Sequence, residues 1–123
     1  MSAVGHTGRD KGVTPVVELV YEPGCPHVEG AREVLAGALS EAGLPPEWIE
    51  WDASDSQAPE RCIGLGSPTI LVDGRDRTGG LSPAGRSCRL YRDEFGDLSG
   101  VPPRNMVLAA LLAAQRERSV RER

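Results

Sequence analysis

Aromatic side chains are scarce in this chain of 123 residues: Phe95 is the only phenylalanine, and Trp48, Trp51, Tyr21 and Tyr91 complete the set. Any core must therefore be built from valine, leucine, isoleucine and alanine. Cysteine is also rare. Three scattered cysteines, without metal-ligand spacing, exclude both a secreted disulfide framework and a zinc site. Neither a metal nor a cofactor is expected. No apolar run approaches membrane-spanning length, and the first residues, MSAVGHTGRDKGVT, lack the apolar stretch of a secretory signal. A cytoplasmic protein with no membrane partner is the resulting expectation. Positive charge is in deficit as well: a net charge of −4 argues against a nucleic-acid surface. The cluster Arg116, Arg118, Arg121 and Arg123 is interleaved with Glu117 and Glu122 and reads as a solvated helix end.

The length suits one domain with an ordinary core. Residues 1–14 are glycine-rich and polar and read as a flexible arm, in which no role is expected for His6. The domain follows over residues 15–118, with a charged tail at 119–123. Nothing in the sequence fixes the oligomeric state.

The most informative stretch is VVELVYEPGCPHV, residues 16–28. Val16, Val17, Leu19, Val20 and Tyr21, bounded by Pro15 and Pro23, form a short β-branched-rich run typical of an inner strand. After Gly24, the residues Val28, Ala31, Leu35, Ala38, Leu39 and Ala42 recur at spacings of three and four. That pattern predicts a helix ending at Gly43 and Pro45-Pro46. Cys25 then falls at the helix N-cap or first turn, where unpaired amides and the helix dipole favour a thiolate over a thiol. Pro26 suits the first helical position, and a protonated His27 would add positive charge beside the sulfur. A buried structural cysteine is the competing reading.

Downstream, Glu47 to Asp52 (EWIEWD) predicts an edge strand, and Gln57 to Ile63 a short second helix ended by Gly64 and Gly66. Ser67-Pro68-Thr69 opens a second strongly apolar strand, with an X-Pro bond that is free to be cis. Arg75 to Arg86 reads as a long loop, Ser87 to Arg92 as a strand, and the segment after Pro103 as a last helix buried through Val107, Leu108, Leu111 and Leu112. The order is β-α-β-α-β-β-α.

That order, with Cys25 ahead of the first helix and Ser67-Pro68-Thr69 ahead of a hairpin, resembles the thioredoxin-like superfamily over roughly residues 15–118. The resemblance implies an α/β fold with a central mixed four-stranded sheet and helices on both faces. It also implies that Cys25 is the nucleophile, tuned by His27, and that Pro26, Ser67, Pro68 and Thr69 contact a thiol or disulfide substrate. Glutathione or another small molecule is a candidate for that substrate. Cys25-Pro26-His27-Val28 is similar to the Cys-Pro-His-Cys of the oxidant DsbA, with Val28 replacing the second cysteine. A resolving thiol is then missing from the motif, and Cys88 or Cys62 are the only candidates to supply it. In the resembled arrangement Cys88 starts a strand at the far end of the sheet, whereas a disulfide needs Cα atoms within about 7 Å; the loop before it leaves the pairing open. GSPTILVDG followed by SCRLY also looks like small bacterial thioredoxin-like proteins grouped loosely with alkylmercury lyases. Three functions follow: a monothiol thiol-disulfide oxidoreductase, a lyase or biosynthetic enzyme whose Arg75, Arg77, Arg86 and Arg89 hold an acidic small molecule, or a non-catalytic binding module.

Overall fold

The computed structural model describes residues 14–80 and 89–121. Residues 1–13 of the expected N-terminal arm, Arg86, Cys88 and the last two residues lie outside them. Strand β1 (Val17–Tyr21) leads through a turn to helix α1 (Val28–Glu41), edge strand β2 (Ile49–Asp52) and a single 3-10 turn at Glu60–Cys62. Strands β3 (Thr69–Val72) and β4 (Arg75–Asp76) follow, then β5 (Tyr91–Arg92), β6 (Leu98–Ser99) and helix α2 (Arg104–Arg121).

The four-stranded sheet has the order β2-β1-β3-β4. β1 and β2 are parallel, with Leu19 opposite Glu50, and α1 makes the crossover between them. β3 runs antiparallel to β1, with Leu19 opposite Ile70, and β4 turns back on β3. Asp73 and Gly74 form that two-residue turn with φ of 52° and 76°, the left-handed pair that a tight hairpin of matching twist demands. β5 and β6 form a separate two-stranded ribbon.

Alternation along β1 sorts the molecule into two sides. Val17 and Leu19, with Ile70 and Val72, face a core shared with Ala31, Leu35 and Leu39 of α1 and Val107, Ala110, Leu111 and Ala114 of α2. Among the described residues both α-helices cover this face and the other carries the 3-10 turn with Cys62, so helices on both faces are not shown. The buried stripe of α2 is also shifted. Ala110 and Ala114 are buried with Val107 and Leu111, while Leu108 is half-buried and Leu112 is exposed, because small alanines let α2 approach the sheet and α1. The helix continues to Arg121, so residues 119–121 of the expected tail are helical.

On the other face, Val20, Leu71 and Cys62 form a small cluster. The helix expected over Gln57 to Ile63 is only the turn at Glu60–Cys62. Pro59 is extended, at ψ 156°, and the chain is extended again by Ile63, so no second turn can form. α1, by contrast, ends cleanly. Gly43, with φ of 76°, donates its N–H to the Ser40 carbonyl, and Leu44 donates to the Leu39 carbonyl, the paired bonds of a Schellman motif. The buried Leu44 side chain seals it.

Glu18 is buried on the open face, and its carboxylate accepts from Trp51 Nε1 at 2.9 Å and from Arg61 Nε at 3.1 Å and Nη2. Glu50 is held likewise by Trp48 at 3.0 Å and by both nitrogens of a bidentate Arg32 at 2.9 Å. Hydrogen bonding from Arg61 lowers the Glu18 pKa below its ordinary value of 4.5 despite burial, and Arg32 lowers that of Glu50. Such groups contribute stability that is present above their unfolded pKa and is lost as pH falls through the folded one. Thermal melts below about pH 5 should therefore show a steep acid decline for the wild type and a shallower one for Glu18→Gln.

Candidate functional site

The end of β1 and the start of β3 meet at one end of the sheet. Val20 pairs with Thr69, and one residue beyond the strand the Glu22 N–H donates to the Ser67 hydroxyl at 3.0 Å. The Glu22 carbonyl in turn accepts the Cys25 N–H at 3.1 Å, closing the Pro23-Gly24 turn. Ser67 is thus tied to the turn that carries Cys25, through the main chain of Glu22. The Ser67–Pro68 peptide bond is cis.

Cys25 is half-buried, with its apolar side packed on the helix-side core. It lies two residues before the helix N-cap, which is His27, so the expected N-cap or first-turn position is corrected. Pro26 likewise precedes the helix and is exposed. The reason is local: the His27 carbonyl accepts the Ala31 N–H at 3.0 Å, which makes it the first acceptor of the helix ladder. The His27 imidazole is fixed by close backbone approach from the segment after β6. A Cβ added at Gly100 would stand 2.3 Å from its Cδ2, so only glycine fits there.

Ser67, Pro68 and Thr69 are all buried. Their polar groups are taken up inside the molecule by a buried network that sequence reasoning missed. The Arg89 N–H donates to the Ser67 carbonyl at 3.0 Å, and the Tyr91 hydroxyl donates to the Pro68 carbonyl. Thr69 Oγ1 donates to the Gly66 carbonyl at 2.6 Å and accepts from Arg89 Nη1 at 2.9 Å. The Arg89 guanidinium, 4% exposed, also pairs with Asp76 and donates to the Gly80 carbonyl at 3.0 Å, and it lies 5.2 Å from the centroid of the fully buried Tyr91 ring. Burial pushes the Tyr91 phenol above its ordinary value, which keeps it a neutral donor. In the sequence, Arg89 stands with Arg75, Arg77 and Arg86 as a candidate to hold an acidic small molecule, and nothing in the segment Ser87 to Arg92 marks Arg89 and Tyr91 as inward-pointing.

No family model, curated protein or solved structure matches this chain. What it does chemically is therefore argued from its own residues.

Cys62 is buried on the opposite face of the sheet from Cys25, in the cluster with Val20 and Leu71. Burial pushes its thiol up, the Glu18 carboxylate adds to that, and Arg61 partly opposes it. It is an inert core thiol, separated from Cys25 by the sheet. Cys88, the other expected partner, is outside the described residues. Arg75 and Arg77 do not converge with Arg89: Arg77 is bound to Glu117 at 2.9 Å, and Arg75 lies exposed on the edge strand. Among the described residues no group of acidic, histidine and cysteine side chains is arranged to hold a metal, and no helix is long and apolar enough to cross a membrane.

Proposed function

We propose that the protein is a thioredoxin-like monothiol thiol-disulfide oxidoreductase acting on small thiols and disulfides. The strand order β2-β1-β3-β4, with a parallel β-α-β unit followed by an antiparallel hairpin, supports the thioredoxin-like reading. So does a half-exposed cysteine in the turn before α1. The observation that carries the proposal is the link from Ser67 through Glu22 to Cys25, which sets the bend containing Pro68 beside the thiol-bearing turn.

The chemistry is exchange without a resolving cysteine. The Cys25 thiolate attacks one sulfur of a small disulfide, forming a mixed disulfide and releasing one thiolate. A second small thiol, as its thiolate, then attacks the substrate-derived sulfur, forming a new disulfide and returning the Cys25 thiolate. Bonds and electrons balance over the two steps, and His27, two residues further along the chain, is assigned to take or give the proton.

The substrate is small because the bend is closed to a peptide. An extended partner adds to a sheet through free main-chain donors and acceptors. Here the Ser67 and Pro68 carbonyls are occupied by Arg89 and Tyr91, and residues 66–70 are buried. Turnover measured with glutathione disulfide and with an extended peptide carrying a mixed disulfide tests this. The small disulfide should react at least about ten-fold faster; a faster peptide would overturn the substrate class, and no reaction with either would overturn the thiol chemistry itself.

A further inference from the structure

A groove apart from the thiol-bearing turn lies between the end of α2 and the β4 edge. Ala113, Arg116, Glu117, Val120 and Arg121 recur at helical spacings of three and four on one face of α2. With Arg75 of β4 they line a groove of about 570 Å³. That size falls in the range of small-ligand sites.

The arginines around this groove divide into two sets. Arg77 holds both oxygens of Glu117, at 2.9 and 3.0 Å, and Arg118 holds both oxygens of Asp73, at 2.7 and 2.9 Å. Arg75, Arg116 and Arg121 are exposed and make no ion pair among the described residues. Glu117, the one carboxylate lining the groove among the described residues, is already spent on Arg77, and its pKa is lowered first by that bond and then by Arg75 and Arg121 through space. Three cations therefore face a groove in which the acidic charge is neutralised, within a chain whose net charge is −4. Their mutual repulsion, screened over a Debye length of about 8 Å at physiological salt, is relieved by a bound anion.

Solvation of a helix end, with basic residues complementing the dipole, accounts for Arg116 and Arg121. It does not account for Arg75, which reaches the same groove from the sheet edge. Val120, 65% exposed, and the half-buried Ala113 supply an apolar floor between the cations. We propose that this groove binds a small organic polyanion: at least two carboxylate, sulfonate or phosphate groups carried on an apolar skeleton, gripped by the guanidinium forks of Arg75, Arg116 and Arg121.

The test is an NMR titration of the full chain, following backbone and guanidinium N–H groups, with a naphthalene disulfonate as probe. Pyrophosphate supplies charge without the apolar body, and the corresponding naphthalenediol supplies the body without charge. The disulfonate should shift Arg75, Arg116, Val120 and Arg121 saturably and bind at least about ten-fold more tightly than either control, and Arg75→Gln/Arg116→Gln should weaken it about ten-fold. The replaced side chains are exposed, so circular dichroism should be unchanged; should the double variant misfold, Val120→Asp is the substitute and should weaken the probe similarly. Equal affinity for either control overturns the ligand class. Shifts spread evenly over Arg92 and Arg104, or affinity unmoved by the substitutions, overturn the site.

Discussion

Arg89→Leu is expected to destabilise the protein by about 3 kcal/mol, the largest effect of any single substitution outside the apolar core. Removing one member of a buried charge pair leaves the other uncompensated, and the same change removes the donor to the Thr69 hydroxyl oxygen and to the Gly80 carbonyl. The estimate sits at the low end for buried pairs because the Asp76 side chain is 29% exposed and can recruit water. For a domain of this size that corresponds to a fall in melting temperature of about 15 °C. Arg89 Nε is buried without a partner among the described residues, so the guanidinium is itself incompletely satisfied. Arg89→Leu/Asp76→Leu should therefore recover part of the loss, because an apolar pair buries no charge. Chemical denaturation of the three proteins checks the series. A single-variant loss below about 1 kcal/mol would mean that the network does not hold the Ser67–Pro68 bend.

Cys25→Ser is expected to reduce disulfide exchange to the uncatalysed rate, since a hydroxyl cannot form the mixed disulfide. Cys62→Ala should leave turnover within about two-fold of wild type, because that thiol is 1% exposed, across the sheet, and held protonated by its surroundings. Steady-state assay of both variants separates Cys25 working without Cys62 from a Cys25–Cys62 pair. If Cys62→Ala removed turnover as completely as Cys25→Ser, the monothiol scheme would be wrong.

The periodic segments were legible in the sequence. The three-and-four spacing of α1 marks the face it turns to the core, and the apolar runs of β1 and β3 mark strands covered on both sides. EWIEWD gives the edge strand because polar and apolar residues are mixed along it, and each tryptophan donates to a carboxylate. The misses have physical causes. The second helix failed because Pro59 is held extended on one side and the chain turns extended again by Ile63, leaving room for a single turn. β4 was absorbed into the loop from Arg75 to Arg86, although Asp73-Gly74 after an apolar strand is a strong hairpin signal. The strand expected from Ser87 is described only at Tyr91–Arg92, paired with Leu98–Ser99 outside the main sheet.

At the candidate site, residue type and order point to Cys25, His27 and Ser67-Pro68 but not to Glu22 and Gly100, whose contributions are made by the main chain. Arg89 was misread for a different reason. An arginine is ordinarily a surface residue, and its burial depends on Asp76, Thr69 and Tyr91 converging from separate segments, which no local pattern records.

The central claim is that the sulfur of Cys25 alone exchanges with small disulfides. Peptide mapping by mass spectrometry after mild oxidation in the presence of glutathione addresses it most directly. The account predicts a reducible glutathione adduct on the peptide containing Cys25 and none on the peptide containing Cys62. An unmodified Cys25 peptide, or glutathione found on Cys62 instead, would contradict it.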